Sequence, residues 1–246
     1  MNKVKCLKKF VLLEEFKKKY EADGFYIFKN ILSEQAARHI SQLVTSSYSG
    51  ISEDNISKKN IFEFVYRCEQ KKMFDDLYGV YKIMADSDIM CEIENQLISF
   101  SKILFNKKYK HLTRGFAIGV KGSKRTSYDW HQEQAYYPKL TDTLHYQFPM
   151  INKCNKLNGT MSVLAGSHKE GFINNVQDKT LSRKSVQILL PKNIKKLEKK
   201  YQEVYINMDK NDLVIFDPNI IHRSNPTESV RNKTRFAGIV RLEKKS

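Results

Sequence analysis

The feature that most constrains the fold is a run of short strand-like segments in the second half of the 246-residue chain. After about Thr113, segments rich in β-branched and aromatic residues alternate with turns that contain Gly, Asn, Asp, Pro or Lys. The segments are GFAIGV, LHYQFPMI, TMSVL, VQILL, EVYINM, LVIF and RFAGIVRL. The sequence shows no regular helical pattern between them, which disfavours parallel βαβ units and favours a β-sandwich or jelly roll.

The first half of the chain has a helical rhythm instead. Apolar residues recur at helical spacing around residues 10–20 and again after Ser33, which is a good N-cap residue. A third helical stretch runs from about Ser87 to Phe105, and the strand-like FYIF at residues 25–28 separates the first two helices. The pattern predicts helices packed on one side of the strands.

Together these two halves predict a mainly β protein with flanking helices. We expect a helical part at about residues 1–110 and a double-stranded β-helix (a jelly roll of the cupin-like kind) at about residues 111–246. Because the chain contains no internal repeat, low-complexity segment or Pro/Gly/Ser linker, we treat residues 1–246 as a single domain.

Composition narrows the classes of function. The net charge of +16 suggests a nucleic-acid or anionic-membrane binder, but the lysines form short clusters along the whole chain, which favours a solvated surface. The four cysteines form no CxxC pair, no stretch resembles a signal peptide, and no run of about 18 apolar residues occurs. We therefore expect a cytoplasmic protein with free thiols and no membrane span.

Three residues form a candidate metal site. If His131 and Glu133 lie in a strand, alternation places both side chains on one face and Gln132 on the other. His222, at the end of a later strand, could supply a third ligand, which completes the two-histidine, one-carboxylate set of non-haem iron(II) oxygenases. A lone His-x-Glu is a weak signal and also fits a surface pair or a core histidine. HExxH and G-x-S-x-G are absent from the sequence, which disfavours a zinc protease and a serine hydrolase.

Longer motifs carry a family resemblance. The strings WHQEQAYYP, NGTMSVLAGSHKEG, LVIFD and HRSNP, in that order over roughly residues 110–243, resemble the phytanoyl-CoA dioxygenase family. The resemblance implies that iron(II) binds His131, Glu133 and His222, and that 2-oxoglutarate and O2 serve as cosubstrates in the oxidation of a small molecule. Two positions depart from the family pattern: Glu133 replaces the usual Asp, and Ala165 replaces the usual Pro. The related halogenases have Gly or Ala at this position, so a carboxylate at position 133 favours hydroxylation or another oxidation over halogenation.

The resemblance also implies an arginine that binds the distal carboxylate of 2-oxoglutarate. The candidates after His222 are Arg223, Arg231, Lys233, Arg235 and Arg241. The usual family spacing falls on Lys233, but a turn lengthened by two residues moves the position to Arg235 at the start of the last strand. We choose Arg235, with Arg231 as the alternative. Ser224 and Gln147 are further candidates for contact with 2-oxoglutarate.

A few residues are candidates for contact with the substrate, whose identity the sequence does not define. Tyr136 and Tyr137 are candidates for the mouth of the pocket, and Lys124 and Arg125 for contact with an anionic group. His145 could also face the pocket, whereas we interpret His39 and His111 as structural and His168 as a turn residue. Two alternatives stay open: a non-catalytic jelly-roll module that binds a small molecule, and a basic protein that acts on nucleic acid.

Overall fold

The computed structural model describes residues 4–8, 13–52, 55–121, 123, 126, 128–140, 142–178, 188–225 and 234–245. Within these ranges the helices are α1 (Leu13–Asp23), α2 (Glu34–Ser49), α3 (Ile61–Gln70), α4 (Phe74–Tyr78), α5 (Tyr81–Ala85), α6 (Asp88–Phe105) and α7 (Ile194–Lys200). The three predicted helices are confirmed as α1, α2 and α6. At the start of α2, the Ala36 N–H donates to Ser33 Oγ at 3.1 Å, which is the N-cap that the sequence predicts.

The described strands all pair in antiparallel fashion. They are β1 (Phe25–Phe28), β2 (Tyr109–Gly119), β3 (Thr143–Pro149), β4 (Met161–Leu164), β5 (Asn175–Asp178), β6 (Ile188–Pro191), β7 (Glu203–Tyr205), β8 (Leu213–Phe216), β9 (His222–Ser224) and β10 (Arg235–Lys244). A major sheet has the order β1-β8-β3-β10-β2, a minor sheet has the order β7-β4-β9, and β5 pairs with β6. The predicted jelly roll with flanking helices is confirmed.

The outer face of the major sheet packs against the helical layer. Phe148 on β3 and Phe236 and Val240 on β10 are fully buried, in one cluster with Ile40 of α2 and Leu97 of α6. Burial of this many aromatic and aliphatic side chains is the main driving force for holding the helices on the sheet.

The inner face of the major sheet turns towards the minor sheet. A second apolar cluster joins Val163 of the minor sheet to Val214 and Ala237 of the major sheet. Alternation along β10 places Arg235, Ala237, Ile239 and Arg241 on this face, and the β2 residues opposite them are Gly119, Ala117, Gly115 and Thr113. Most of these neighbours are small, and the absence of a side chain at Gly115 and Gly119 makes room for Tyr81 and Arg235.

Helix α7 supports the part of the minor sheet nearest the candidate site. Its buried Leu197 packs with Trp130, Leu164 and Ile221, and two of these residues directly precede His131 and His222. None of the helices in the described part of the chain combines the length and the apolar composition needed to cross a lipid bilayer.

Candidate metal centre

The three predicted ligands come from two segments that the fold brings together. His131 and His222 form an isolated antiparallel bridge, in which each backbone N–H donates to the carbonyl of the other at 2.9 and 3.0 Å. The strand predicted through residue 133 is wrong, because Glu133 begins a 3-10 turn, Glu133–Tyr136. The Gln134 N–H donates to the Pro218 carbonyl at 3.0 Å, so the chain bends after the bridge and still directs Glu133 towards the histidines.

The ligand atoms of His131, Glu133 and His222 all lie within 4.8 Å of one another, and all three residues are buried. His131 Nδ1 lies 2.7 Å from the Asp129 carbonyl oxygen, and His222 Nδ1 lies 3.1 Å from the Ile220 carbonyl oxygen. Because a carbonyl oxygen can only accept, each Nδ1 is the protonated nitrogen and donates. Each ring therefore keeps its Nε2 lone pair for a metal ion.

The protonation states suit metal binding. Burial, followed by the proximity of His222, lowers the pKa of His131 from 6.5 to about 3, so this ring is neutral near pH 7. Burial alone would raise the pKa of Glu133, but the Arg241 guanidinium and the neighbouring histidines hold it well below its usual range. The site thus offers a carboxylate beside neutral imidazole.

Arg241 is the part of the site that the sequence analysis missed. Its Nε donates to Glu133 Oε2 at 3.1 Å and its Nη2 donates to Oε1 at 3.0 Å, which makes a bidentate ion pair. Only 16% of the Arg241 side chain is exposed. The sequence indicates Arg241 only as one of the candidate anchors for 2-oxoglutarate, although alternation along RFAGIVRL places it on the same face as Arg235.

His145 and Gln147 also face the site, on β3 opposite Arg241 and Ile239 of β10. His145 Nδ1 lies 3.8 Å from Glu133 Oε2, and its Nε2 lies 3.0 Å from the Thr143 hydroxyl. Burial lowers the pKa of His145 to about 3. The interpretation that His145 faces the pocket therefore fits its position, and Gln147 is buried beside it.

Arg235 lies further along the same inner face, and its surroundings fit an anionic ligand. It is only 2% exposed, and its Nη2 lies 3.5 Å from Ser224 Oγ, which is a long contact. Its Nε has no hydrogen-bond partner, and among the described residues no carboxylate forms a salt bridge with it. Burial lowers its pKa, as expected for a cation removed from water.

Gln132 lies between the candidate ligands His131 and Glu133 in the sequence. Its side chain points away from them, as predicted, and its hydrogen bonds stabilise the bend in the backbone. Its amide group donates to the carbonyls of Gly171 and Asn219 at 2.8 and 2.6 Å, and its side-chain oxygen accepts from the Ile173 N–H at 2.9 Å. These three bonds join loops that are distant in sequence and hold the backbone on which His131 lies.

Aromatic rings surround the histidines. The Tyr136 ring centre is 6.0 Å from that of His131, and the Tyr137 ring centre is 6.2 Å from that of His145. Tyr128, which the sequence analysis did not select, is 5.9 Å from His131. Four other predicted residues, Lys124, Arg125, Arg231 and Lys233, lie outside the described residues.

The donor set fits the cofactors that the resemblance implies. Two imidazole nitrogens and one carboxylate on one side of a pocket are the ligands typical of non-haem iron(II) oxygenases, and they leave positions for other ligands. The buried Arg235 fits one carboxylate of a dicarboxylic acid, because a guanidinium can donate two parallel hydrogen bonds to it. Iron(II) and 2-oxoglutarate are thus accommodated by residues that the fold already holds in place.

Comparisons with known proteins agree with this picture. The epimerase SnoN, solved with Fe3+, alpha ketoglutarate and nogalamycin RO, has a TM-score of 0.65 at 11% identity over 94% of this chain and 83% of that chain. EctD from S. alaskensis, solved with 2-oxoglutarate and 5-hydroxyectoine, has a TM-score of 0.64 at 14% identity over 93% and 75% of the two chains. EvdO2 from Micromonospora carbonacea var. aurantiaca, complexed with 2-oxoglutarate, has a TM-score of 0.61 at 13% identity over 98% and 94%.

At these identities the structural likeness shows the fold. No curated protein sequence matches the chain. Residues 20–235, however, match the family described as phytanoyl-CoA dioxygenase, which spans most of the chain and contains the three candidate ligands. The chain therefore belongs to the phytanoyl-CoA dioxygenase family.

Proposed function

We propose that this protein is an iron(II) and 2-oxoglutarate dependent dioxygenase that hydroxylates a small anionic molecule. Family membership supports an oxidising function of this general kind. The observation that carries the proposal is the convergence of His131, Glu133 and His222 in one buried cluster, with a buried Arg235 on the sheet beside it that forms no ion pair with any carboxylate in the described part of the chain.

Three residues of the chain would bind iron(II). His131 and His222 would bind iron(II) through Nε2, because their Nδ1 atoms are committed to backbone carbonyls. Glu133 would bind it through a carboxylate oxygen. Together iron(II) and 2-oxoglutarate supply the activation of O2 and the oxidising power, and the protein supplies binding, orientation and exclusion of water.

Arg235 and Ser224 would bind 2-oxoglutarate. The guanidinium would receive the distal carboxylate, and the Ser224 hydroxyl, 3.5 Å from Nη2, would donate to the same group. Gly119 makes room for the Arg235 side chain, because a Cβ there would lie 3.4 Å from Arg235 Nε, and the small Ala237 would border the ligand. Gln147, on the adjacent strand β3, would border the same space.

The expected outcome of oxidation is hydroxylation. A carboxylate at position 133 would occupy the coordination position that a halide would need, so halogenation is disfavoured. The likeness to an epimerase shows that this fold also supports reactions other than hydroxylation. The test must therefore measure whether an oxygen atom enters the product.

Charge supports an anionic substrate. With iron(II), the doubly negative 2-oxoglutarate and Glu133 in place, Arg235 brings the buried charges to balance. Arg241 then adds one positive charge next to the metal site, and a negatively charged substrate group would neutralise it. Tyr136 and Tyr137 would line the approach, and Lys124 and Arg125 remain candidates for contact with the same anion.

The experiment is a reconstitution followed by a paired screen. The protein is loaded with iron(II) and 2-oxoglutarate without oxygen, exposed to 18O2, and assayed for succinate and for labelled product. The screen compares small carboxylic acids and phosphate esters with their uncharged amides or alcohols. We expect acids to stimulate succinate release more than their uncharged counterparts, with one labelled oxygen in the product.

Two outcomes would contradict the proposal. Succinate release stimulated by an acid without label in the product would point to an oxidation other than hydroxylation. Binding of iron(II) and 2-oxoglutarate without any succinate would instead favour a non-catalytic binding module.

A further inference from the structure

We propose that Arg241 is a positioning residue that fixes the Glu133 carboxylate as a metal ligand, and that this contact is the reason for Glu instead of Asp at position 133. The inference rests on the proposed function, because it concerns the same metal site. It assigns a role to a residue that lies outside the motifs used to identify the site.

Arg241 contacts both oxygen atoms of the Glu133 carboxylate. Arg241 Nε is 3.1 Å from Glu133 Oε2 and Nη2 is 3.0 Å from Oε1, so the plane of the carboxylate follows the plane of the guanidinium. A carboxylate has about four lone-pair sites, and the pair with Arg241 uses two of them. Oε1 keeps a lone pair for a metal on the side where His222 Nε2 lies 3.7 Å away.

Arg241 is the more rigid partner of the two. It lies on β10, which is hydrogen-bonded to β2 on one side and to β3 on the other, with Thr113 and His145 as its register partners. Glu133, in contrast, begins a 3-10 turn of four residues. The strand therefore fixes the orientation of the turn residue.

The length of Glu133 then follows from the geometry. Its carboxylate contacts Arg241 on the major sheet and also lies in the cluster with His131 and His222. An Asp at this position would be shorter by one carbon–carbon bond, about 1.5 Å. It could keep the guanidinium or approach the histidines, but it could not do both without a shift of the turn.

The competing explanation is that the ion pair only stabilises the fold. A purely structural pair would change the free energy of unfolding and leave the geometry of a bound metal unchanged. A positioning pair would change metal affinity and coordination, and its effect would depend on the length of the side chain at position 133. A double-mutant cycle separates these two cases.

The probe is Co(II), added to the whole folded protein and followed by its visible d–d absorption and by competition with a chelator. The cycle consists of the natural protein, Glu133→Asp, Arg241→Gln and the double variant. A further variant, Arg241→Lys, retains the positive charge but cannot form the bidentate contact. The control is Arg223→Gln, because Arg223 also contacts both oxygens of a carboxylate outside the metal cluster: its Nη2 donates to Glu203 Oε1 and Oε2 at 2.9 and 3.0 Å.

We expect Glu133→Asp to weaken Co(II) binding by about tenfold or more when Arg241 is present, as is usual when the support of a metal ligand is lost. In the Arg241→Gln background the same change should weaken it by less than about threefold. Arg241→Gln should also shift the d–d spectrum, and Arg241→Lys should restore the spectrum only in part. Arg223→Gln should leave the spectrum unchanged.

Equal weakening of Co(II) binding by Glu133→Asp in both backgrounds would overturn the inference, as would an unchanged spectrum in Arg241→Gln. If Arg241→Gln does not fold, the cycle is completed in the Arg241→Lys background with the same criteria. Failure of the natural protein to bind Co(II) would refute the proposed function as well. Binding without coupling would refute the role of Arg241 alone.

Discussion

Replacing Arg235 by Met should have two opposite effects: a more stable ligand-free protein and a large loss of affinity for 2-oxoglutarate. Both follow from the surroundings of this side chain. Arg235 is 2% exposed, and within the described ranges its Nε has no hydrogen-bond partner and its Nη2 contacts Ser224 Oγ at 3.5 Å. Such a cation destabilises the empty protein and is available to bind an anion.

The magnitudes can be worked out for each effect. Met has a similar length and no charge, so it removes a desolvation penalty, and we expect the ligand-free protein to gain roughly 1–3 kcal/mol in its free energy of unfolding. The loss of two charge-assisted hydrogen bonds to a carboxylate, each worth about 1.5 kcal/mol or more, should weaken 2-oxoglutarate binding by roughly 100-fold.

The assay is urea unfolding with and without 2-oxoglutarate, in the presence of Mn(II) to avoid turnover, together with calorimetric titration. At about 100 times its Kd, 2-oxoglutarate should stabilise the natural protein by about 2.7 kcal/mol. The same concentration should barely stabilise Arg235→Met. The matched control is Arg223→Met, which breaks the pair with Glu203 and should lose stability while keeping 2-oxoglutarate affinity.

Affinity for 2-oxoglutarate within about threefold of the natural value in Arg235→Met would refute the reasoning. The anchor would then have to be another cation, and Arg231→Met would be the next variant to examine. A ligand-free Arg235→Met protein that is less stable than the natural one would show that the cation is compensated within the fold.

Three further predictions follow from the structure. Burial lowers the pKa of His131 and His145 from 6.5 to about 3, so the unfolded chain binds protons that the folded chain does not. The free energy of unfolding of the metal-free protein, measured by denaturation, should therefore be highest above pH 6.5 and fall by roughly 2 kcal/mol per histidine near pH 5, and equal values at pH 7.5 and 5 would contradict this. Ser224→Ala should weaken 2-oxoglutarate binding in calorimetry by about three- to tenfold, since one hydrogen bond is lost, and a loss as large as that of Arg235→Met would mean that the roles are reversed. Gly238→Ala should destabilise the protein in urea unfolding by about 2 kcal/mol without changing 2-oxoglutarate affinity, because the added Cβ would lie 2.5 Å from the Phe148 ring on the outer face.

Much of the fold could be predicted from local patterns. Each of the seven strand segments overlaps a strand in the structure, and Ser33 caps α2 as its residue type suggests. The helices α3, α4, α5 and α7 were not predicted. Helix α3 is rich in aromatic and β-branched residues with modest helix propensity, and burial of Ile61 and Phe64 against the core stabilises it. Helix α7 buries only Leu197, which leaves almost no periodic signal.

The candidate site, like the fold, could be predicted only in part from the sequence. Residue types and family motifs were enough to select His131, Glu133 and His222, but strand alternation was the wrong reason for Glu133, since the backbone bends into a 3-10 turn. Arg241 and Glu133 are 108 positions apart in the sequence, and no local pattern links the two residues. Such a contact depends on the register of β10, which is set by tertiary packing.

The most direct test of the central claim is the stoichiometric conversion of 2-oxoglutarate to succinate and CO2 by the iron-loaded protein under O2. We expect turnover that requires iron(II), stops with a chelator and is absent in His131→Ala and His222→Ala, which remove ligands from the cluster. His39→Ala, a change on α2 outside that cluster, is the control and should retain turnover. Full turnover in either ligand variant, or no succinate from the natural protein with iron(II) and 2-oxoglutarate bound, would contradict the account.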